Sequence, residues 1–381
     1  MDFVGSRSFI FICKAIENQC DIQYGENCKD FQELLKSLTP KEKLLASKYF
    51  CQLPWKIGTL RVLRQFQDLR LLTATEYILS IQNNVQVQLV LNEFLEAEYE
   101  LLENIFISAA YDSFNAIILN AALEDLFYHL FNDLASNPKI SSLAYLAPLC
   151  KSLPANVLTK VMHTHIHILL NLHASDINQA FIHFSDWINK GVDELVFIKV
   201  LCEKLFLNSQ EDVLNYLFKL STLEHFKEWK FYVILIQSIA STSNADTTMF
   251  LKQYLKSRLL KIGGAPCKLS MLHLLLTARA ATARTMSVKH NLDAYASWYK
   301  ENICEMNYMM DVERFQNVLN LLQECITYEK EQQYLEIHAA MAISPPPLCG
   351  KLVQAYRSKC KAHLIQLKGC LKRKASIEMV D

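Results

Sequence analysis

The chain has 381 residues, of which 51% are hydrophobic, and its 39 basic and 39 acidic residues leave no net charge. This hydrophobic content excludes a disordered chain and is enough for one large core or a stack of smaller ones. Only 8 glycines and 9 prolines occur, roughly 2% each against typical usage of about 7% and 5%, which argues against β-sandwiches and barrels with their many tight turns.

The twelve cysteines stand mostly inside apolar runs, and no Cys-x-x-Cys pair occurs. We therefore expect reduced thiols in the core of an intracellular protein rather than a disulfide framework. The first apolar run, Phe9 to Cys13, is too short for a signal sequence and predicts the first buried helix. No uncharged apolar stretch approaches the roughly 20 residues that span a bilayer, so we expect no membrane anchor.

Two capping boxes mark helix starts in the N-terminal part. Thr39-Pro-Lys-Glu42 combines an N-cap, a proline at the first helical position and a reciprocal glutamate, and it predicts a helix over Pro40 to Gln52. Thr73-Ala-Thr-Glu76 repeats the box. The next run, Val85 to Asn92, alternates like a strand, but the glutamates at 93, 96 and 100 continue it in helical spacing, so we predict a helix there.

The stretch from Leu71 to Pro138 contains ten acidic residues and no Lys or Arg. Segregated charge creates a surface potential that steers association and says little about the fold. Two interpretations stay open, a solvated face attracted to the chain's own basic segment and a surface for a basic partner. The predicted protein-contact residues here are Glu93, Glu96, Glu100 and Glu103.

Further helix starts are predicted near residues 142, 154, 176, 193, 210, 223, 246, 266, 286 and 309. Ser209 and Ser243 are predicted N-caps, each followed by an Asp at the third position. Two successive helices span about 35 to 45 residues, the size of HEAT or armadillo units. We therefore predict an all-α solenoid of stacked antiparallel helix pairs, with an irregular helical bundle as the alternative.

Three histidines alternate in Val161–Leu170. On a helix from about Pro154 to His173, each residue rotates by about 100°, which places His165 in the buried stripe and His163 and His167 on the polar face. The exposed pair has metal-ligand spacing, but Thr164 stands where His-Glu-x-x-His needs its glutamate, and no third ligand follows. We predict no metal site and expect His165 to be bonded inside the core.

The stretch from Thr247 to Leu292 reverses the charge pattern, with eight basic residues and no acidic one. We predict protein contacts at Lys252, Lys256 and Arg258. Nucleic-acid contacts at the same three residues and at Lys261 are the alternative. Tyr254 is the one well-placed ring, so the aromatic residues of a nucleic-acid groove are sparse.

The C-terminal segment predicts a basic amphipathic helix after the triple proline that ends at Pro347. It would either seal the end of the helical stack or dock into a partner's groove. Predicted contacts are Tyr356 and Leu364 for protein and Lys372, Arg373 and Lys374 for nucleic acid. Ser376 follows this basic cluster as a candidate phosphorylation site.

No phosphate-binding loop, nucleophile elbow, kinase signature or metal cluster is found in the sequence, so we expect neither catalytic activity nor a cofactor. The predicted regions are an N-terminal helical region (1–138), a helical-repeat region (139–343) and a C-terminal helix with a short tail (344–381).

The sequence therefore predicts a non-enzymatic scaffold subunit of a nuclear or cytoplasmic multiprotein complex, for example in genome maintenance or RNA processing. A nucleic-acid-binding helical repeat is the alternative.

Overall fold

The computed structural model describes residues 4–22, 28–112, 114–137, 139–194, 196–223, 225–285 and 287–377, with side chains omitted at 4–8, 28, 190–194 and 370–377. These described residues form α-helices joined by short turns and contain no β-strand. Their one β contact is an isolated parallel bridge between Ser175 and Glu228. The all-α prediction is confirmed.

The described part of the chain contains twenty α-helices. Their bounds are α1 Val4–Cys20, α2 Cys28–Ser37, α3 Pro40–Phe50, α4 Thr59–Asp68, α5 Ala74–Ser80, α6 Asn84–Ala97, α7 Tyr99–Tyr111, α8 Ala116–Ser136, α9 Leu146–Ser152, α10 Ala155–Asn171, α11 Ile177–Glu194, α12 Val196–Leu201, α13 Gln210–Leu220, α14 Trp229–Thr242, α15 Ala245–Gly264, α16 Lys268–Thr282, α17 Val288–Tyr299, α18 Val312–Cys325, α19 Gln332–Ala340 and α20 Gly350–Ile377. Two π-helical turns, Cys202–Phe206 and Lys300–Cys304, extend α12 and α17.

The chain divides into two compact units, one comprising residues 1–133 and 139–168 and the other 134–138 and 169–381. In the first unit, α1 packs against α3 and α4, and both α5 and α6 pack against α7. Its core is aromatic, with Phe50 stacked on Phe66 at 4.9 Å between ring centroids. The division into three regions stays a prediction.

In the second unit, alternate helices pack against each other. Helix α14 contacts α16, α16 contacts α18, and α18 contacts α20, while α19 also packs on α20. Stacked layers of helix pairs produce this pattern of contacts between every second helix. The closer likeness to HEAT or armadillo repeats stays a prediction.

Both predicted capping boxes are confirmed. At the start of α3, the Thr39 N–H donates to Glu42 Oε2 at 2.9 Å, and the Glu42 N–H donates to Thr39 Oγ1 at 3.4 Å. At the start of α5, the Thr73 N–H donates to Glu76 Oε2 at 2.8 Å, and the Glu76 N–H donates to Thr73 Oγ1 at 3.1 Å. These bonds satisfy backbone donors that a helix start leaves unpaired.

The two weaker caps are corrected by the structure. Ser209 precedes α13 but makes no side-chain cap bond, because its backbone (φ −137°, ψ 28°) lacks the extended conformation that an N-cap needs. The cap of α15 lies one residue later than predicted, where Asn244 Oδ1 accepts from the Thr247 N–H at 2.8 Å. Ser243 instead donates back to the Ala240 carbonyl at 2.8 Å.

Three buried histidines are each hydrogen-bonded to a buried tyrosine. His165 contacts the Tyr145 hydroxyl at 2.8 Å, as the predicted core position requires. His273 contacts the Tyr232 hydroxyl at 2.8 Å, and His338 contacts the Tyr295 hydroxyl at 3.0 Å. These two pairs were not predicted. Burial lowers the pKa of each of the three imidazoles to about 3, which keeps them neutral in the folded chain.

Arg279 corrects the charge count of the basic stretch. The sequence places it among eight surface cations, but its side chain is 0% exposed and forms an ion pair with Glu329, which is 3% exposed. Its guanidinium lies over the Tyr334 ring, 3.9 Å from the centroid, and over the Phe181 ring at 4.9 Å. Burial opposes its charge, but the Glu329 carboxylate raises the Arg279 pKa, so the guanidinium stays charged.

Within the described residues, no helix is long and apolar enough to cross a membrane. Ten cysteines are described as free thiols, six of them buried, in agreement with the predicted core thiols.

Candidate functional site

The main candidate site is a groove in the second unit, bordered by α15, the end of α16, α17 and the π-helical turn that follows α17. We call it the basic groove. Its volume is about 480 Å³, within the range of roughly 300 to 1,000 Å³ typical of ligand pockets. The apolar side chains that line it are Leu251, Leu255, Ala281, Ala294, Trp298 and Met309.

Three basic side chains and one acidic side chain line the basic groove: Lys252, Lys256, Arg284 and Glu301. Lys252 and Lys256 are exposed and lie one turn apart on α15, so their ammonium groups lie along one wall. Within the described part of the chain, neither lysine forms an ion pair. Their charge is therefore available to an external group.

Arg284 also lines the groove and is held in place by its own hydrogen bonds. Its Nε donates to the Ala281 carbonyl at 3.1 Å, and its Nη1 donates to Thr248 Oγ1 at 3.1 Å. Burial lowers the Arg284 pKa, but an arginine has so high an ordinary pKa that the group stays charged at neutral pH. The groove thus has one guanidinium held by hydrogen bonds and two exposed ammonium groups.

Trp298 is the aromatic residue that lines the groove. It is 6% exposed, and its indole Nε1 has no hydrogen-bond partner among the described residues. The ring packs against Tyr295, 5.5 Å away between centroids. A buried indole N–H normally finds an acceptor, so this unpaired donor is an exception beside the groove.

The π-helical turn Lys300–Cys304 places Glu301 and Asn302 on the groove. Asn302 Nδ2 donates to the Trp298 carbonyl at 2.9 Å, which fixes the turn beside the indole. Such turns occur often at functional sites, because the extra residue re-aims the side chains that follow.

The structure separates the four predicted contacts of α15. Lys252 and Lys256 lie about 40° apart around the helix, but Lys261 lies about 180° from Lys252. Neither Arg258 nor Lys261 lines the basic groove. Lys268, another basic residue of this stretch, lies over the Tyr328 ring at 5.2 Å. With Arg279 buried, the eight cations therefore form no single face.

The acidic segment of the first unit is partly neutralised by a basic residue from outside it. Arg64 forms one ion pair with Glu98 at 2.7 Å and another with Glu100. Burial lowers the Arg64 pKa, but Glu100 and the other neighbouring carboxylates raise it by more, so the net shift is upward. Glu93 accepts from the Trp55 indole N–H at 2.8 Å. Of the predicted contacts, Glu96 is exposed and Glu103 is half-buried.

The predicted contacts of α20 differ in accessibility. Tyr356 is fully buried, and its hydroxyl is 2.7 Å from the Tyr299 hydroxyl, so it seals α20 onto the second unit rather than facing a partner. Leu364 is half-buried on the same helix. The side chains of Lys372, Arg373, Lys374 and Ser376 lie outside the described residues.

The predicted division of the histidine cluster is also seen in the side-chain exposure. His167 is exposed and His163 is half-buried, while His165 lies in the core. Among the described residues, no group of three or more metal-ligating side chains could hold a metal ion.

Sequence analysis identified Lys252 and Lys256 but missed Trp298, Glu301 and Asn302. Within the sequence, these three residues look like one face of an ordinary helix end. The π-helical turn that redirects them has no local sequence signal that we recognise.

No curated protein matches this chain significantly. The model of the family described as "Fanconi anaemia group A protein N terminus" matches residues 12–369, nearly the whole length. The chain therefore belongs to the Fanconi anaemia group A protein N-terminal family.

Proposed function

We propose that this chain is a non-enzymatic scaffold subunit of a nuclear multiprotein complex that maintains the genome. The observation that carries the proposal is the family match over residues 12–369. Proteins of this family act in the nucleus as non-catalytic components of a multiprotein complex in genome maintenance.

The proposed scaffold role uses the outer faces of the helices rather than a catalytic centre. Stacked helices present extended surfaces, which suit simultaneous contact with several proteins. The two units offer surfaces of opposite sign, the exposed carboxylates around Glu96 in the first and the basic groove in the second. Such surfaces would select partners of different charge.

Nucleic-acid binding stays the alternative function, and it receives less support. A phosphate backbone needs several cations on one continuous face. Lys252 and Lys256 share a face, but Arg258 and Lys261 lie elsewhere on α15 and Arg279 is buried.

Affinity purification of the tagged chain from nuclear extract, at its native expression level, tests the proposal. We expect a defined set of proteins that stays bound after nuclease treatment, and mass spectrometry would identify them. Recovery of the chain alone would contradict the scaffold function. Loss of the partners on nuclease treatment would instead favour nucleic-acid binding, which a steep salt dependence of DNA or RNA affinity would then support.

A further inference from the structure

We propose that the basic groove binds an acidic, amphipathic segment of a partner protein, with its apolar side chains on the groove floor and its carboxylates against Lys252, Lys256 and Arg284. This inference rests on the proposed scaffold function and names the chemistry of one partner contact.

The floor of the groove sets the apolar requirement. Leu251, Leu255 and Met309 line it with aliphatic and thioether groups, and Trp298 lies beside them with 6% of its surface exposed. Removing such surface from water is the main source of binding energy for a docked segment. An occupant without apolar side chains would leave the floor unfilled.

The lining of the groove sets the charge requirement. Three cations face one anion, Glu301, so the local potential is positive although the whole chain is neutral. Lys252 and Lys256 lie one turn apart, which lets two carboxylates of one segment pair with them in succession.

The same features disfavour a nucleic acid as the occupant. The apolar floor would receive a charged backbone, which costs desolvation energy. Trp298 is too buried, at 6% exposure, to offer its ring face for base stacking.

Site-specific crosslinking of the assembled protein identifies the occupant. A benzophenone side chain replaces Gln253 or Ser297, two exposed residues that line the groove. The same group at exposed Asn320 on α18, away from the groove, is the control. After illumination of the complex purified from nuclear extract, mass spectrometry reads the sequence of the captured segment.

We expect both groove positions, and not position 320, to capture one segment that is rich in Asp and Glu and carries apolar side chains at helical or alternate spacing. A basic segment, an uncharged segment, a nucleic-acid adduct, or no adduct from an intact complex would each overturn the proposal.

Two variants then test the mode of binding with the captured segment made as a labelled peptide. The double variant Lys252→Glu with Lys256→Glu should lower the affinity for the peptide by about tenfold or more. Raised salt should lower the affinity of the unmodified chain for the peptide. The matched control is Lys261→Glu with Lys289→Glu, two exposed lysines outside the groove. This control makes the same change in net charge and should leave the affinity within about twofold. An equal loss of peptide affinity in the two double variants would overturn the proposal.

The second variant fills the groove with a larger side chain. Ala294 is exposed on α17 and lines the groove, so Ala294→Phe occupies the space without disturbing the core. We expect Ala294→Phe to lower the affinity for the peptide by about tenfold. Ala355→Phe, at an exposed position of α20, should leave the affinity unchanged. Peptide binding that survives Ala294→Phe would contradict the assigned position.

Different experimental results would contradict the groove proposal and the proposed scaffold function. If the complex is recovered but the groove captures nothing acidic, the scaffold function stands and this inference falls. If the chain is recovered alone, both fall together.

Discussion

At the scale of single residues, the second unit contains a buried charge held by aromatic rings. Arg279 joins α16 to Glu329, just before α19, and its guanidinium faces rings from α11, α17 and α19. A buried ion pair contributes little net stability compared with a well-packed apolar pair, but removal of one partner strands the other charge. The pair therefore links α16 to the segment that precedes α19.

Replacing one partner of this pair should be strongly destabilising. Arg279→Met leaves the Glu329 carboxylate buried without its counter-ion, and we expect a loss of about 3 to 5 kcal/mol in the free energy of unfolding, measured by urea denaturation. The double variant Arg279→Met with Glu329→Leu removes both charges and should recover most of that loss. A single variant within about 1 kcal/mol of the unmodified chain would show that the pair is not buried.

The three tyrosine-bonded histidines predict acid sensitivity. Their folded-state pKa is lowered to about 3, whereas an unfolded histidine has a pKa of about 6.5. Below about pH 6.5 the unfolded chain binds protons that the folded chain excludes, so stability falls as the pH drops towards 3. Each histidine contributes a slope of up to about 1.4 kcal/mol per pH unit.

His338→Gln tests this linkage. The amide keeps a polar partner near Tyr295 but cannot take up a proton, so the slope of unfolding free energy against pH should decrease by about one histidine's share between roughly pH 6 and pH 4. Arg279 also faces His338 and stays charged in this range. His290→Gln, at an exposed position, is the control and should leave the slope unchanged. Equal slopes in all three proteins would exclude this account.

At the scale of elements, Gly58 lets α4 begin against the end of α1. Its N–H donates to the Cys20 carbonyl at 2.9 Å. A Cβ at this position would lie 2.7 Å from the Ile22 carbonyl oxygen and 2.9 Å from that of Cys20, closer than a real Cβ contact. The glycine is needed for this close approach of two backbones.

Gly58→Ala should therefore destabilise the first unit by about 1 to 3 kcal/mol, the usual cost of overpacking. Thermal unfolding measures the effect. Gly350→Ala is the matched control, because a Cβ there meets no atom within 4 Å and alanine favours the start of α20. A loss of stability in Gly350→Ala equal to that in Gly58→Ala would exclude the close backbone approach at Gly58 as the cause.

The sequence predicted the elements best where the signal is local. Thr39 and Glu42 are three residues apart, so a capping box can be read from four letters, and both boxes were confirmed. The rotation of about 100° per residue placed His165 in the core. The same rotation separates Lys252 from Lys261, which the sequence prediction had placed in one set of nucleic-acid contacts.

The rest depended on contacts between distant residues. Arg279 looked like a surface cation because its partner, Glu329, lies fifty positions further along the chain. The basic groove joins residues from Thr248 to Met309, on three helices, a π-helical turn and two connecting segments, and no local pattern indicates that they enclose one space. The buried tyrosine–histidine pairs of the second unit also join separate helices.

At the scale of the whole molecule, the two charged stretches of the sequence do not form two uniform charged surfaces. The chain is neutral overall, yet its acidic stretch is partly paired by Arg64 and its basic stretch is divided among a groove, a buried ion pair and separate faces. A neutral chain that presents local charges of both signs suits assembly with several proteins more than binding along a phosphate backbone.

Sedimentation of the tagged chain in nuclear extract, with and without nuclease, tests the central claim most directly. The account predicts that the chain sediments as part of a large assembly, that nuclease leaves this position unchanged, and that Lys252→Glu with Lys256→Glu releases at least one acidic partner. Sedimentation as a lone monomer, or a shift to the monomer position after nuclease, would contradict it.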